Sequence, residues 1–369
     1  MSKGRSTADK VCGSVFDIPS DPVLRLALWA GLAAAACASG MLILVVFLRI
    51  SLLLRRAYEA RLTARWRPVL AQCVDSEPVK IPHIARRDQY FILRLWNVHH
   101  ALMRGQVTEH LNGLINRTGL ADTARRMLKQ GSTRQRLLAI VTLGNLREEN
   151  VLNEFRLLSD EASPFISLAA AQALLQIAAE ASLPWLLIRM GRRQDWPITR
   201  LSIMLRELGP DIVSVPLAEA LLAASGDPDA TVQVPRLIKL LELAHPSVAA
   251  PAVRGALGAA GENVAVIAAC VRALTDPRDR ELACSFANHP AWQVRVTVAI
   301  ALRRFAAPED RSLLVDMLSD VHWWVRRSAA DTLLALPFVT IPDLKKIQRI
   351  LPDRYAADML ADAIAEQAV

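Results

Sequence analysis

The chain has 369 residues, 53% of them hydrophobic and 5% aromatic, with 44 Lys and Arg against 36 Asp and Glu for a formal net charge of +8. It is long enough to bury a sizeable core and too apolar for a disordered chain. Cys12, Cys37, Cys73, Cys270 and Cys284 are odd in number and form no close pair outside the apolar segment, which excludes a disulfide framework and fits a reducing compartment.

Residues 1–24 read as a tail with balanced charge, Asp9, Asp17 and Asp21 against Lys3, Arg5 and Lys10. Leu26 to Leu48 then runs 23 residues without a charge, closed by Arg25 and Arg49. At about 1.5 Å per residue such a helix crosses a hydrocarbon core of roughly 30 Å, so the pattern predicts one transmembrane helix over 25–49. A cleaved signal peptide competes, because Leu32-Ala-Ala-Ala-Ala-Cys37 resembles a lipoprotein cleavage box. The apolar run continues through Met41–Phe47 past that point, and the tail lacks the basic bias of a leader. Gly31, Ala35 and Ser39, with the offset pair Ala36 and Gly40, place small side chains four apart, as helices that approach closely require. They predict association with a second copy of the chain or with a partner helix; the alternative is an anchor that packs on nothing.

Arg49, Arg55, Arg56, Arg61, Arg65 and Arg67 follow the span against the single acid Glu59, which predicts that this side is cytoplasmic and that the N-terminus lies outside the inner membrane. The local charge balance is +1 over residues 1–48, +5 over 49–67, +7 over 68–147 and −5 over 148–369. Basicity concentrated beside the bilayer suits anionic lipid headgroups and makes those six arginines candidates for the membrane surface. A nucleic-acid groove needs positive charge along the folded part itself, so nucleic acid is not expected as a partner. A basic helix and linker over 50–84, ending in Asp75-Ser-Glu-Pro-Val-Lys-Ile-Pro82, precedes a helical cap expected over 85–127.

From 128 to 340 the chain repeats. Ala291-Trp-Gln-Val-Arg-Val-Thr-Val-Ala-Ile-Ala-Leu302 and His322-Trp-Trp-Val-Arg-Arg-Ser-Ala-Ala-Asp-Thr-Leu333 share Trp, Val, Arg, Ala and Leu at one fixed offset, that of Trp323 from Trp292. The same register runs upstream through Gln135-Arg136 with Ala139 and Leu143, and Ile166-Ser167 with Ala170 and Leu174. Ile198-Thr199 follows one position late, and the pattern blurs between Val213 and Leu274, where His245-Pro-Ser-Val248 reads as the start of an inner helix. Within each unit the apolar positions recur at i, i+4 and i+8, one helical face, and Asp, Pro, Gly and Asn cluster at the joints. A unit of this size buries its apolar face only by stacking on its neighbours, so the expectation is an all-α solenoid of about seven helix pairs. Ile341-Pro342 and Pro352-Asp353 introduce two closing helices, a C-terminal cap over 341–369.

Asp320, Val325, Arg326, Ala329, Ala330 and Leu333 make an Asp-x-x-x-x-Val-Arg-x-x-Ala-Ala-x-x-Leu pattern that resembles the HEAT repeat and its relative named after phycobilisome lyases. The resemblance covers Leu282 to Leu336 strongly and Leu128 to Ile177 moderately. It implies that the inner-helix Arg bonds the Asp of the preceding turn, as Arg326 with Asp320 would; Arg295 meets His289 there instead. It also implies a concave face lined by inner helices. Positions two and six after each core Val fall there: Arg200 and Met204, Val296 and Ile300, Arg327 and Asp331. Val296 and Ile300, flanked by Arg304 and Arg327, form an apolar strip with basic edges suited to an amphipathic partner helix. The resemblance to anchored bacterial HEAT proteins implies a protein scaffold serving envelope polysaccharide synthesis or export.

No catalytic or metal constellation emerges from the sequence. His83, His99, His100, His110, His245, His289 and His322 have no zinc-ligand spacing, and there is neither a phosphate loop nor a nucleophile elbow. Neither an enzyme nor a bound cofactor is expected. Two alternatives to the scaffold come from the same family: a phycobilin-lyase-like or chaperone-type enzyme, and a glycosylase-like nucleic-acid binder suggested by Trp185, Trp196, Trp292, Trp323 and Trp324. Trp292 and Trp323 share one repeat position, where an indole packs over the turn between helices.

Overall fold

The computed structural model describes residues 22–367 except 77, 79, 228 and 229, and every regular element among them is helical. The tail with Cys12, and the side chain of Arg25, lie outside the described residues. The chain divides into two compact units, Met1–Thr118 and Gly119–Val369.

The first unit is built on α1 (Pro22–Asp75), a single helix of 54 residues, with α2 (Gln89–Leu102) and α3 (Gln106–Arg117). Leu62, Trp66, Val69, Leu70 and Cys73 form one helical stripe at the C-terminal end of α1, and all are buried with Leu93 and Trp96 of α2 and Leu111 and Ile115 of α3. Polar bonds fix the packing. Trp96 Nε1 donates to the Leu111 carbonyl at 2.9 Å, and Tyr58 Oη donates to Asp88 at 2.6 Å. Arg117 Nη1 donates to the Pro78 carbonyl at 3.0 Å across the non-helical stretch that follows α1.

In the second unit sixteen described helices run as eight successive two-helix units. The leading helices are α4 (Leu120–Gln130), α6 (Leu152–Ser159), α8 (Ala179–Arg192), α10 (Pro210–Ser225), α12 (Pro246–Ala259), α14 (Arg280–Cys284), α16 (Asp310–Leu318) and α18 (Ile341–Ile350). The following helices are α5 (Thr133–Asn145), α7 (Pro164–Ile177), α9 (Ile198–Leu208), α11 (Gln233–Leu241), α13 (Val264–Ala273), α15 (Trp292–Phe305), α17 (Trp323–Ala335) and α19 (Arg354–Gln367). The second set forms a row: α5 packs on α7, and α11 packs on α13, α13 on α15, α15 on α17 and α17 on α19. Core residues at i, i+4 and i+8, such as Val294, Val298 and Leu302 or Val325, Ala329 and Leu333, are fully buried. Small residues set the spacing. A Cβ on Gly144 of α5 would lie 2.9 Å from Ala173 Cβ of α7, closer than such atoms pack.

Three expectations change. The boundary drawn at 127/128 cuts through α4, which packs on α5 through its buried stripe Leu120, Ala121, Ala124 and Leu128; the break falls instead before Gly119, at φ +67. Pro246, expected to open an inner helix, opens α12, which packs on α10 and α13; the row helix of that unit is α13. The Arg ladder runs forward rather than back. Arg295 donates from Nε and Nη2 to the Asp320 carboxylate at 2.6 and 2.8 Å, and from Nη1 to the His289 carbonyl at 2.8 Å. Arg136 reaches Glu161 at 2.7 Å and Arg254 reaches Asp279 at 2.5 Å, each 25 residues ahead as in the Arg295 pair. Arg326 meets only the Asp320 carbonyl, at 3.3 Å, because the carboxylate belongs to Arg295.

Candidate functional site

The row helices α11, α13 and α15, with the first turns of α12, enclose a groove of about 890 Å³. Its origin lies in α13, which is only ten residues long and presents Ala268, Ala269 and Ala273 where larger side chains would fill the space. Ile238, Val253, Trp292 and Val296 supply the remaining apolar walls. Lys239, Arg272 and Arg304 stand exposed on the rim, with Glu242 as the one carboxylate among the lining residues. Arg304 Nη1 donates to the carbonyls of Arg272 and Leu274 at 2.5 and 3.1 Å, satisfying the orphan acceptors at the C-terminus of α13. No carboxylate pairs with Lys239 or Arg272 among the described residues. The groove is an apolar trough with a net positive rim.

Of the residues placed on the concave face by sequence, the structure brings Val296 and Arg304 to this groove. Ile300 is half-buried beyond it, and Arg200 is exposed on α9, bonding Gln172 at 2.8 Å. Met204 is 2% exposed: the i+6 position of α9 turns into the core because α9 packs on both α10 and α11. Arg327 does not edge the strip, since it bridges Asp331 at 3.1 Å and Glu366 of α19 at 3.1 Å, and Asp331 is thereby neutralised. The hydrogen bonds that Arg327 donates to Glu366 and Asp331 hold its pKa above the ordinary value. Lys239, Ala268, Ala269 and Arg272 escaped the sequence analysis because they lie in the region where the repeat blurs.

The aromatic residues divide. Trp196 is buried and donates from Nε1 to Ser167 Oγ at 3.0 Å, while Trp185 lies 3.5 Å beneath the Arg189 guanidinium. Trp292 stacks on His322 with ring centroids 3.9 Å apart, over the next turn as expected, whereas Trp323 at the equivalent position is half exposed. Cys270 is a buried thiol that burial pushes up to about 12, and Cys284 is half-buried with Sγ 3.7 Å from Asp310.

The second candidate surface is the N-terminal part of α1. Its described side chains from Leu28 to Leu54 are exposed, and no described part of the unit covers them. The helix is long and apolar enough to cross a membrane. Past Arg49 the apolar character resumes with Ile50, Leu52, Leu53 and Leu54, all at least half exposed, so the apolar rod ends at Arg55 and Arg56 rather than at Arg49. For a helix along the bilayer normal, Arg61 then stands about 10 Å, and Arg65 and Arg67 roughly 16 to 20 Å, past Leu54. The surface field decays within about 8 to 10 Å, so with headgroups level with Leu54 the expectation of a membrane-surface role holds least for Arg65 and Arg67. Those two sit instead where α1 has already entered its packed unit, beside buried Trp66. Gly31, Ala35, Ala36, Ser39 and Gly40 are exposed within the rod, and no atom lies within 4 Å of a Cβ built on Gly31 or Gly40.

No curated protein matches the chain. Residues 257–334 match a family model described as HEAT repeats. That stretch runs from the last turn of α12 through α17; row helices start within it at Val264, Trp292 and Trp323, and it holds the Arg295 ladder pair. Stacks of this kind bind partners along their length and are typically not enzymes. Over 257–334 the chain is similar to HEAT repeats, and the eight successive two-helix units of its described residues form an all-α solenoid.

Proposed function

We propose that the protein is a membrane-anchored scaffold: α1 crosses the cytoplasmic membrane with the N-terminus outside, and the solenoid in the cytoplasm holds a partner protein in the α11–α15 groove. The groove carries this reading. Its trough is apolar, its rim bears two exposed cations with no carboxylate partner among the described residues, and its length spans three row helices, which fits an amphipathic helix with an acidic flank. The uncovered apolar rod of α1, broken by Arg49 and followed by Arg55 and Arg56, supports anchoring and orientation.

Lys239→Glu with Arg272→Glu reverses the rim without touching the core, because both side chains are exposed and unpaired. Crosslinking in membranes followed by affinity purification is expected to recover a discrete partner protein with wild type and to lose it with the double variant, at an unchanged melting temperature. Equal recovery by both proteins would remove the groove from partner binding, and crosslinks to lipid alone would remove the partner.

A further inference from the structure

We propose that the edge between α17 and α19 is a second docking site, taking from a partner protein a turn in which a carboxylate stands two residues before a planar ring. It goes beyond the groove and rests on different residues, though on the same scaffold reading. At the preceding junction the turn Asp320-Val321-His322 does two things at once. Asp320 gives its carboxylate to Arg295, at 2.6 and 2.8 Å, and His322 stacks on Trp292 at 3.9 Å with the planes 5° apart. Trp292 and Arg295 lie one helical turn apart on one face, which is why a single turn serves both.

The next unit keeps the receiving pair, Trp323 and Arg326, but not the donating turn. At the places that Asp320 and His322 would take in the following repeat stand Leu351 and Asp353. Among the described residues Arg326 consequently receives no carboxylate: Nη1 reaches the Asp320 carbonyl at 3.3 Å, Nε is buried without a hydrogen-bond partner, and the guanidinium rests 5.8 Å over Tyr355. Trp323 has no ring to stack on. It is 46% exposed, with Trp324 set edge-on to it at 4.6 Å, and Trp324 is 54%, Tyr355 71% and Val321 91% exposed.

Capping does not explain this edge. A terminal cap presents polar residues to water, as α19 does with Asp358, Asp362 and Glu366, whereas this surface carries two indoles, a phenol and a valine. The neighbouring Arg327 already has its acids, so the charge left uncompensated is that of Arg326. An unpaired guanidinium one turn from an uncovered indole recognises an anion and a flat apolar group held together.

The test uses the full chain in detergent micelles and a fluorescein-labelled peptide copying residues 316–322, Asp316-Met-Leu-Ser-Asp-Val-His322, which carries both groups. Saturable binding by anisotropy is expected, weakened about tenfold or more by Trp323→Ala or Arg326→Met. It is expected to persist in the Lys239→Glu, Arg272→Glu protein, which separates this site from the groove. Replacing the peptide's Asp320 by Asn, or its His322 by Ala, should weaken binding similarly, and these changes leave the protein fold untouched. Absence of saturable binding, or equal affinity for the wild-type and both altered peptides, would overturn the proposal. So would quenching of the edge tryptophans by brominated lipid with no response to peptide, which would make the edge a lipid contact.

Discussion

Arg295→Met is expected to destabilise the solenoid by about 3 kcal/mol, because it strands a largely buried carboxylate. The two side chains are only 13% and 11% exposed and pair at 2.6 Å. Burial alone would raise the Asp320 pKa; the hydrogen bonds donated by Arg295 and by the His322 backbone N–H outweigh it and hold the carboxyl below its ordinary range. A depressed folded pKa contributes stability that is fully present above the unfolded value of about 3.9 and is lost as pH falls through the folded value. Wild type should therefore lose this contribution below about pH 4, and the variant should show a shallower acid limb there. Adding Asp320→Asn to Arg295→Met should restore part of the stability, since the stranded charge is gone. Denaturant melts across pH check all three proteins; a loss under about 0.5 kcal/mol in Arg295→Met would mean that the pair behaves as a surface contact.

Met41→Arg with Leu44→Arg is expected to abolish membrane insertion. Both positions lie in the middle of the uncovered rod, on one face, and each central Arg costs about 2.5 to 3.5 kcal/mol of insertion. The double variant should partition to the soluble or aggregated fraction, while Met41→Ala with Leu44→Ala stays in the pellet. Retention of the Arg variant in alkali-washed membranes would show that the rod is held by protein rather than by lipid. Neither pair of changes touches the buried stripe from Leu62 to Cys73, so helix content in the packed part of α1 is expected to persist.

The sequence exposed the architecture wherever the units keep one length. Row helices start at one constant spacing at Thr133 and Pro164, and again at Trp292, Trp323 and Arg354, and there the core positions could be named in advance. From Pro164 to Ile198 and from Ile198 to Gln233 the spacing widens, and α8 packs on α7, α10 and α11 at once. A register extrapolated through that stretch misplaced Met204 and took the start of α12 for a row helix. Charge was legible as composition and not as pairing: Arg327 looked free until Glu366, 39 residues on, closed over it. Half of the groove was visible as Val296 and Arg304. The other half depends on what α13 lacks, since three alanines create the space, and an absent side chain leaves no apolar signal to follow.

The central claim is that α1 remains part of the protein and holds the solenoid at a membrane, and intact mass spectrometry of the carbonate-resistant membrane pellet tests it most directly. The pellet is expected to contain a species whose mass includes Leu26 to Leu48 joined to the solenoid. A species shortened near Cys37, or recovery of the chain in the alkaline supernatant, would contradict it.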